Sequence, residues 1–77
     1  MTQTVVKTLD LKGLACPLPI AKTAVAIRDL HAGELLEAYA TDPGSVPDFN
    51  AWSKTTGNEI VEQTEEAGVF RFLIRKV

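Results

Sequence analysis

The chain contains few of the residues that usually mark a chemical site. One cysteine and one histidine occur among its 77 residues. A single cysteine cannot form a disulfide within the chain, which excludes a small scaffold held together by disulfides. One cysteine and one histidine also do not provide a set with metal-ligand spacing, so we expect neither a metal nor a cofactor.

Basic charge and long apolar runs are scarce as well. The formal net charge is −2, whereas nucleic-acid binding through a whole surface requires a basic one. The sequence has no apolar run of about 18 residues, which a membrane span would need. Its N-terminal residues lack the apolar stretch of a signal peptide. We therefore expect a cytoplasmic protein that contacts neither membrane nor nucleic acid directly.

What is present fits one small folded domain covering residues 1–77. Apolar residues make up 45% of the chain and charged residues 23%, close to the average of globular proteins. Apolar periodicity and turn residues predict strands at 4–11, 34–41, 59–65 and 69–76. Between them we predict a helix over 17–31 and a second helix that Ser45 caps and Gly57 closes.

The order β-α-β-α-β-β predicts the fold class. The first two strands should be parallel and the last two an antiparallel hairpin. One face of the last strand is polar, which indicates that the helices cover only one side of the sheet. We therefore predict an α/β (α+β) two-layer sandwich, with a four-stranded mixed sheet and two helices on one face.

Two helical stripes are candidates for the core. In the first helix the stripe comprises Ile20, Ala24, Ile27 and Leu30, with Ala21 and Val25 widening it. In the second helix Phe49 and Trp52 share a face, and their spacing indicates core rather than site.

The segment 13–19 is the most informative part of the chain. Pro17 fits the first helical position, which would make Cys16 the N-cap. The N–H groups and the dipole at a helix start favour negative charge, and the N–H of Leu18 is the natural donor to the sulfur. We therefore expect the pKa of Cys16 to lie below the value of about 8.5 for a free thiol. The alternative is a buried and inert cysteine.

Few groups could activate this thiol. His31 lies about fourteen residues further along the same helix, or roughly 20 Å away, so it cannot act as the base. Lys22 follows Leu18 by four residues on the same side of the helix, where it either adds positive potential near the sulfur or is simply solvated.

The sequence from Gly13 to Pro19 resembles the Cys-Pro-x-Pro signature of the TusA/SirA/YedF family of small sulfur-carrier proteins. The likeness extends over about residues 9–76, and its further landmarks are Gly33-Glu34, Asp42-Pro43-Gly44-Ser45, Asp48, Trp52, Gly57 and Phe72-Leu73-Ile74-Arg75-Lys76. It implies a single TusA-like domain over residues 1–77. Leu18 departs from the family's tRNA-thiolation members, which carry an acidic residue between the two prolines.

The resemblance implies that Cys16 accepts sulfane sulfur as a persulfide and relays it to another protein, as a sulfur carrier or sulfurtransferase. The implied donor is a cysteine desulfurase or a rhodanese-type protein, and the implied acceptor is of the DsrE/TusD type. The pathway would be tRNA thiolation or sulfur oxidation and trafficking. The residues expected to shape the site or to meet a partner are Leu14, Pro17, Leu18, Pro19 and Lys22, although Leu14 can equally belong to the core.

Two alternative functions are also compatible with the sequence. The first is a regulatory or interaction module in which Cys16 is a thiol switch, motivated by the small size of the chain. The second is RNA binding through Lys7, Lys12, Lys22 and the C-terminal basic residues, which the net charge opposes. We expect the protein to be a monomer.

Overall fold

The structure is a computed structural model that describes residues 4–77. Its strands are β1 (Val5–Leu11), β2 (Leu35–Ala40), β3 (Glu59–Glu66) and β4 (Val69–Arg75), and its helices are α1 (Leu18–Ala26) and α2 (Ser45–Thr56). A 3-10 turn, Ile27–Asp29, extends α1. The predicted order β-α-β-α-β-β is confirmed. Residues 1–3, part of the segment used to argue against a signal peptide, lie outside the described residues.

The four strands form one mixed sheet in the order β1-β2-β4-β3. β1 and β2 are parallel, and β3 and β4 form the predicted antiparallel hairpin. Ala67 and Gly68 connect the hairpin with φ of 53° and 82°. Positive φ at both central residues matches the twist of the strands that such a tight turn joins.

Both helices pack on the same face of the sheet, as predicted. Phe49 of α2 is fully buried and stacks on Phe72 of β4, with ring centroids 4.3 Å apart. Trp52 is half-buried and meets Phe49 edge-on at 6.2 Å. The buried apolar cluster contains Leu11, Ile27, Leu30, Leu36, Ala38, Ala40, Phe49, Phe72 and Ile74. α2 is therefore anchored by aromatic rings at the centre of the core.

The predicted apolar stripe of the first helix is buried at Ile27 and Leu30, but one of its flanking members is not. Pro19, Thr23 and Ile27, each four residues apart, are buried, whereas Val25 is 61% exposed. Thr23 can be buried because its hydroxyl donates a hydrogen bond to the carbonyl of Pro19 at 2.9 Å. The predicted stripe included Val25, and this was wrong because most of its side chain is exposed.

The end of α1 was also predicted too late. Regular helix ends at Ala26, the 3-10 turn ends at Asp29, and Leu30 is extended. Gly33 has a φ of 90°, but it lies in a separate turn in which the N–H of Glu34 donates to the carbonyl of His31 at 3.0 Å. This glycine therefore lies in the turn before β2, which starts at Leu35.

The ends of α2 were predicted with one error. Gly57 closes the helix in the left-handed conformation, and its N–H donates to the carbonyl of Ser53 at 2.9 Å. At the start, the N-cap is Gly44 and Ser45 is already helical. The Ser45 hydroxyl donates to the carbonyl of Asp42 at 2.6 Å, so the serine fastens the preceding turn instead of capping the helix.

Ion pairs line the sheet face opposite the helices. The Arg71 guanidinium donates to Glu37 at 2.6 Å and to Glu62 at 2.9 Å, and Arg75 pairs with Glu59. The bond from Arg71 holds the pKa of Glu37 below its usual range. These arginines are therefore neutralised by neighbours on the sheet and do not form an unpaired basic patch.

In the described part of the chain, residues 4–77, every helix is too short or too polar to cross a bilayer.

Candidate functional site

Two loops meet at one edge of the sheet and build the site. One loop leads from the end of β1 at Leu11 to α1, and the other leads from the end of β2 at Ala40 to α2. Because β1 and β2 are parallel neighbours, both loops leave the sheet at the same edge. Cys16 lies in the first loop, directly opposite the start of α2.

Backbone hydrogen bonds hold the first loop against the second. The N–H of Gly13 donates to the Thr41 hydroxyl at 2.9 Å, and the N–H of Cys16 donates to Oδ2 of Asp42 at 2.6 Å. The other oxygen of Asp42 accepts the N–H of Gly44 at 3.1 Å. One carboxylate therefore joins the two loops and fixes the position of the cysteine backbone.

Gly44 lies where the two loops meet, with room for a Cβ in ordinary van der Waals contact. A Cβ placed on Gly44 would lie 3.6 Å from the Cβ of Cys16 and 3.6 Å from both carboxylate oxygens of Asp42. A larger side chain at this position would therefore contact both residues.

The thiol of Cys16 is exposed and faces an acid. Its Sγ donates a hydrogen bond to Oδ2 of Asp48, in the first turn of α2. Asp48 was predicted in that first turn, where the helix dipole favours a carboxylate. Its contact with a cysteine 32 residues away was not predicted.

This contact reverses the expected effect on the thiol. The hydrogen bond to Asp48 raises the pKa of Cys16 above its usual range, and partial desolvation and the charges of Asp48 and Asp42 raise it further. All four effects disfavour a thiolate. The expectation of a lowered pKa is therefore wrong for this structure.

The expectation failed because Cys16 does not cap α1. Pro17 is the N-cap, and within the described residues no side chain caps this helix. The N–H of Leu18, which was the expected donor to sulfur, donates to the carbonyl of Ala15 at 2.9 Å. The peptide bond between Cys16 and Pro17 is cis.

The other predicted site residues fall into two groups. Pro17, Leu18 and Lys22 are exposed beside or beyond Cys16, with Leu18 at 48%. Pro19 is buried beneath the start of α1, and Leu14 is half-buried against the core. Leu14 and Pro19 therefore support the site from below, while the first group is accessible to another molecule.

An open groove of about 530 Å³ follows the exposed side of α1, and we call it the α1 groove. Leu18 and Val25 provide apolar surface, and the Lys7–Asp29 ion pair at 3.2 Å borders it. Its lining residues are Lys7, Leu18, Ala21, Lys22, Val25, Ala26 and Asp29. The groove begins two residues after Cys16, at Leu18.

Sequence reasoning did not place Asp42 and Asp48 in the site, although both were named. Asp42 was interpreted as a turn residue and Asp48 as a helix-start residue. A usable signal existed, because the loops that follow two neighbouring parallel strands must meet. Among residues 4–77, no three histidine, cysteine or acidic side chains are grouped as metal ligands would be.

A family model described as "Sulfurtransferase TusA" matches residues 7–76. The sulfur carrier protein TusA of Allochromatium vinosum is 52% identical over 68 residues, covering 88% of this chain and 90% of that protein. The sulfur carrier protein TusA of Pseudomonas aeruginosa is 43% identical over 76 residues, covering 99% and 96%.

The fold has a counterpart among solved structures. The crystal structure of a SirA-like protein from Desulfitobacterium hafniense superimposes with a TM-score of 0.80 and 22% identity, covering 91% of this chain and 96% of that one. This structural likeness supports the two-layer architecture, and the family model together with the two relatives shows that the chain belongs to the TusA family.

Proposed function

We propose that this protein is a sulfur carrier that accepts sulfane sulfur as a persulfide on Cys16 and passes it to a partner protein. The observation that carries the proposal is an exposed thiol fixed at the junction of two loops, in a chain whose relatives are named sulfur carrier proteins. A carrier needs a sulfur atom that another protein can reach, and Cys16 meets that need.

The chemistry is an exchange between two sulfur atoms. Sγ of Cys16 attacks the outer sulfur of a donor persulfide, a new S–S bond forms on Cys16, and the donor S–S bond breaks. The electron pair of the broken bond stays on the donor's inner sulfur, which takes up the proton that Cys16 loses. The same exchange, with Cys16 as the donor, delivers the sulfur to the next thiol.

We place partner docking on Pro17, Leu18 and Lys22 and on the α1 groove beside them. Leu18 is a large apolar side chain exposed two residues after Cys16, and Val25 is exposed further along the same groove, which suits a surface that meets another protein. The donor that we propose is a cysteine desulfurase or a rhodanese-type protein, and the acceptor is a protein of the DsrE/TusD type. A reducing cytoplasm would keep the thiol available.

The test is a mass measurement after loading. The protein is incubated with a cysteine desulfurase and cysteine, or with a rhodanese and thiosulfate, and its intact mass is recorded. We expect a gain of one sulfur atom that a reducing agent removes and that Cys16→Ser abolishes. Ala15→Ser, a change at an exposed neighbour that keeps the thiol, serves as the control and should load like the wild type.

Absence of the mass gain in the wild type, or its persistence in Cys16→Ser, would falsify the carrier proposal. The alternative function, a regulatory module with Cys16 as a thiol switch, predicts no sulfur gain. It also predicts that a reduced Cys16→Ser variant still binds its partner.

Binding of RNA through the basic side chains receives no support from the charge arrangement. Lys7 pairs with Asp29, Lys12 lies 3.9 Å from Asp10, and Arg71 has two glutamate partners. A nucleic-acid site would need such cations available for phosphates.

A further inference from the structure

Two carboxylates surround the sulfur of Cys16, and both come from the entry to α2. Asp48 accepts the hydrogen bond of the thiol itself, and Asp42 accepts the N–H of Cys16 at 2.6 Å. The basic residues of the neighbouring segments do not offset them. Lys12 in the first loop pairs with Asp10, and Lys22 lines the groove side of α1. The sulfur therefore sits in an anionic environment.

We infer that Asp48 stabilises the empty carrier relative to the sulfur-loaded one, and thereby favours release of sulfur to the next protein. The inference rests on the proposed persulfide chemistry at Cys16. In the empty carrier, Sγ holds a proton, and the carboxylate of Asp48 accepts it in a hydrogen bond.

Loading with sulfur removes this bond. The incoming sulfur takes the place of the proton on Sγ, so Sγ has nothing left to donate to Asp48. The carboxylate then loses a partner, and the proton leaves with the donor's released sulfur.

Loading also adds charge where charge is unfavourable. A persulfide is more acidic than the thiol from which it forms, so its outer sulfur is anionic at neutral pH. Asp48 and Asp42 repel that anion, as like charges at short range do. Both the lost hydrogen bond and the repulsion therefore shift the exchange equilibrium toward the empty carrier.

The effect concerns the position of the equilibrium rather than its rate. A thiolate whose pKa is raised is a slower leaving group in exchange reactions. Asp48 therefore does not speed the departure of Cys16, but it makes the emptied state the more stable one.

The experiment measures that equilibrium directly. Wild type, Asp48→Asn and Asp48→Glu are each equilibrated with glutathione persulfide and excess glutathione at neutral pH, and intact mass gives the ratio of loaded to empty protein. We expect Asp48→Asn to raise this ratio about tenfold, the change that one pKa unit represents. Asp48→Glu, which keeps the carboxylate, should stay near the wild type.

Glu66→Gln provides the matched control. It removes the same charge from an exposed carboxylate at the end of β3, outside the two loops and the α1 groove. Its ratio should equal that of the wild type. A wild type that loads normally, together with an Asp48→Asn ratio that matches it, would overturn this inference while leaving the carrier function intact. A wild type that never loads contradicts the carrier function instead.

A second measurement does not depend on sulfur transfer. The rate of Cys16 alkylation by iodoacetamide is recorded against pH for the wild type and the same variants. Because the thiol of the folded wild type holds its proton more tightly, its midpoint should lie above the value of about 8.5 for a free thiol. Asp48→Asn should lower the midpoint. A wild-type midpoint at or below that of the free thiol would refute the role of Asp48, whether or not the variants fold.

Discussion

The two helices of this protein start at the same edge of the sheet but contribute different things to the site. α1 begins directly after the thiol, has no side-chain cap among the described residues, and exposes Leu18 and Val25. α2 begins with a half-buried acid, Asp48, and is anchored in the core by Phe49. One helix thus presents the surface beside the sulfur, while the other supplies the acid that contacts the sulfur.

This comparison teaches that the chemistry of a cysteine need not follow from the helix next to it in sequence. A helix start lowers a thiol pKa only if its N–H groups point at the sulfur. Here the N–H of Leu18 is already bonded to Ala15, and the nearest strong partner of the sulfur belongs to the other helix. The tertiary contact outweighs the local one.

Removing the anchor of α2 should give the largest effect on stability. Phe49→Ala deletes a fully buried ring that stacks on Phe72, and such changes cost about 3–5 kcal/mol. Because a domain of this size has a total stability of about 4–12 kcal/mol, much of it would be lost. Urea unfolding measures the change, and alkylation of the folded fraction should be faster because Asp48 is no longer held against Cys16.

The control is Lys54→Ala, at an exposed position on the same helix, which should leave the urea midpoint almost unchanged. If Phe49→Ala lowers the free energy of unfolding by less than about 1 kcal/mol, this ring does not anchor α2, and the two helices differ less in their packing.

A smaller loss is expected at the other end of α2. Gly57 has a φ of 84°, and an alanine there would adopt a conformation that costs an L residue about 1–2 kcal/mol. Thermal unfolding of Gly57→Ala checks this value. An unchanged melting temperature would show that the helix can end without the left-handed residue.

The buried contact of α1 should contribute less again. Thr23→Val keeps the shape of a fully buried side chain but removes the hydroxyl that donates to Pro19, at a cost of about 1 kcal/mol. The matched control is Thr55→Val, because the Thr55 hydroxyl makes the same bond to the carbonyl four residues earlier but is exposed. Equal losses in the two variants would argue against burial as the cause.

The smallest change in stability is expected on the exposed side of α1. Leu18→Ser should alter the free energy of unfolding by less than about 0.5 kcal/mol, since the side chain is 48% exposed. Its transfer rate from a protein donor should nevertheless fall, while loading by glutathione persulfide stays the same. Val77→Ser, at an exposed position beside Gly57 and therefore at the far end of α2, is the control. An equal fall of the transfer rate in both variants would show that Leu18 is not part of the docking surface.

The sequence was a good guide wherever one periodicity governed a whole element. Phe70, Phe72 and Ile74 alternate with Arg71 and Arg75, and β4 has its cluster and its ion pairs on the predicted faces. The hairpin and the parallel pair followed from turn residues and from the connections between elements. These features depend on residues that are close in sequence, so the order of apolar, polar and turn residues predicts them.

Features that depend on distant partners were not accessible in the same way. The state of Cys16 depends on Asp48, 32 residues along the chain. This contact leaves no periodic pattern in the sequence. The family resemblance included Asp48, but only the structure shows its contact with the thiol of Cys16.

The composition of β3 has a consequence for how the molecule behaves among its own copies. This strand forms one border of the sheet and carries four glutamates in eight residues. An edge strand has unpaired backbone N–H and C=O groups that a strand of another molecule could pair with, and clustered charge of one sign disfavours such pairing. Two copies that tried to align along this border would bring their glutamates together. Charge repulsion along this strand should therefore oppose self-association by this route.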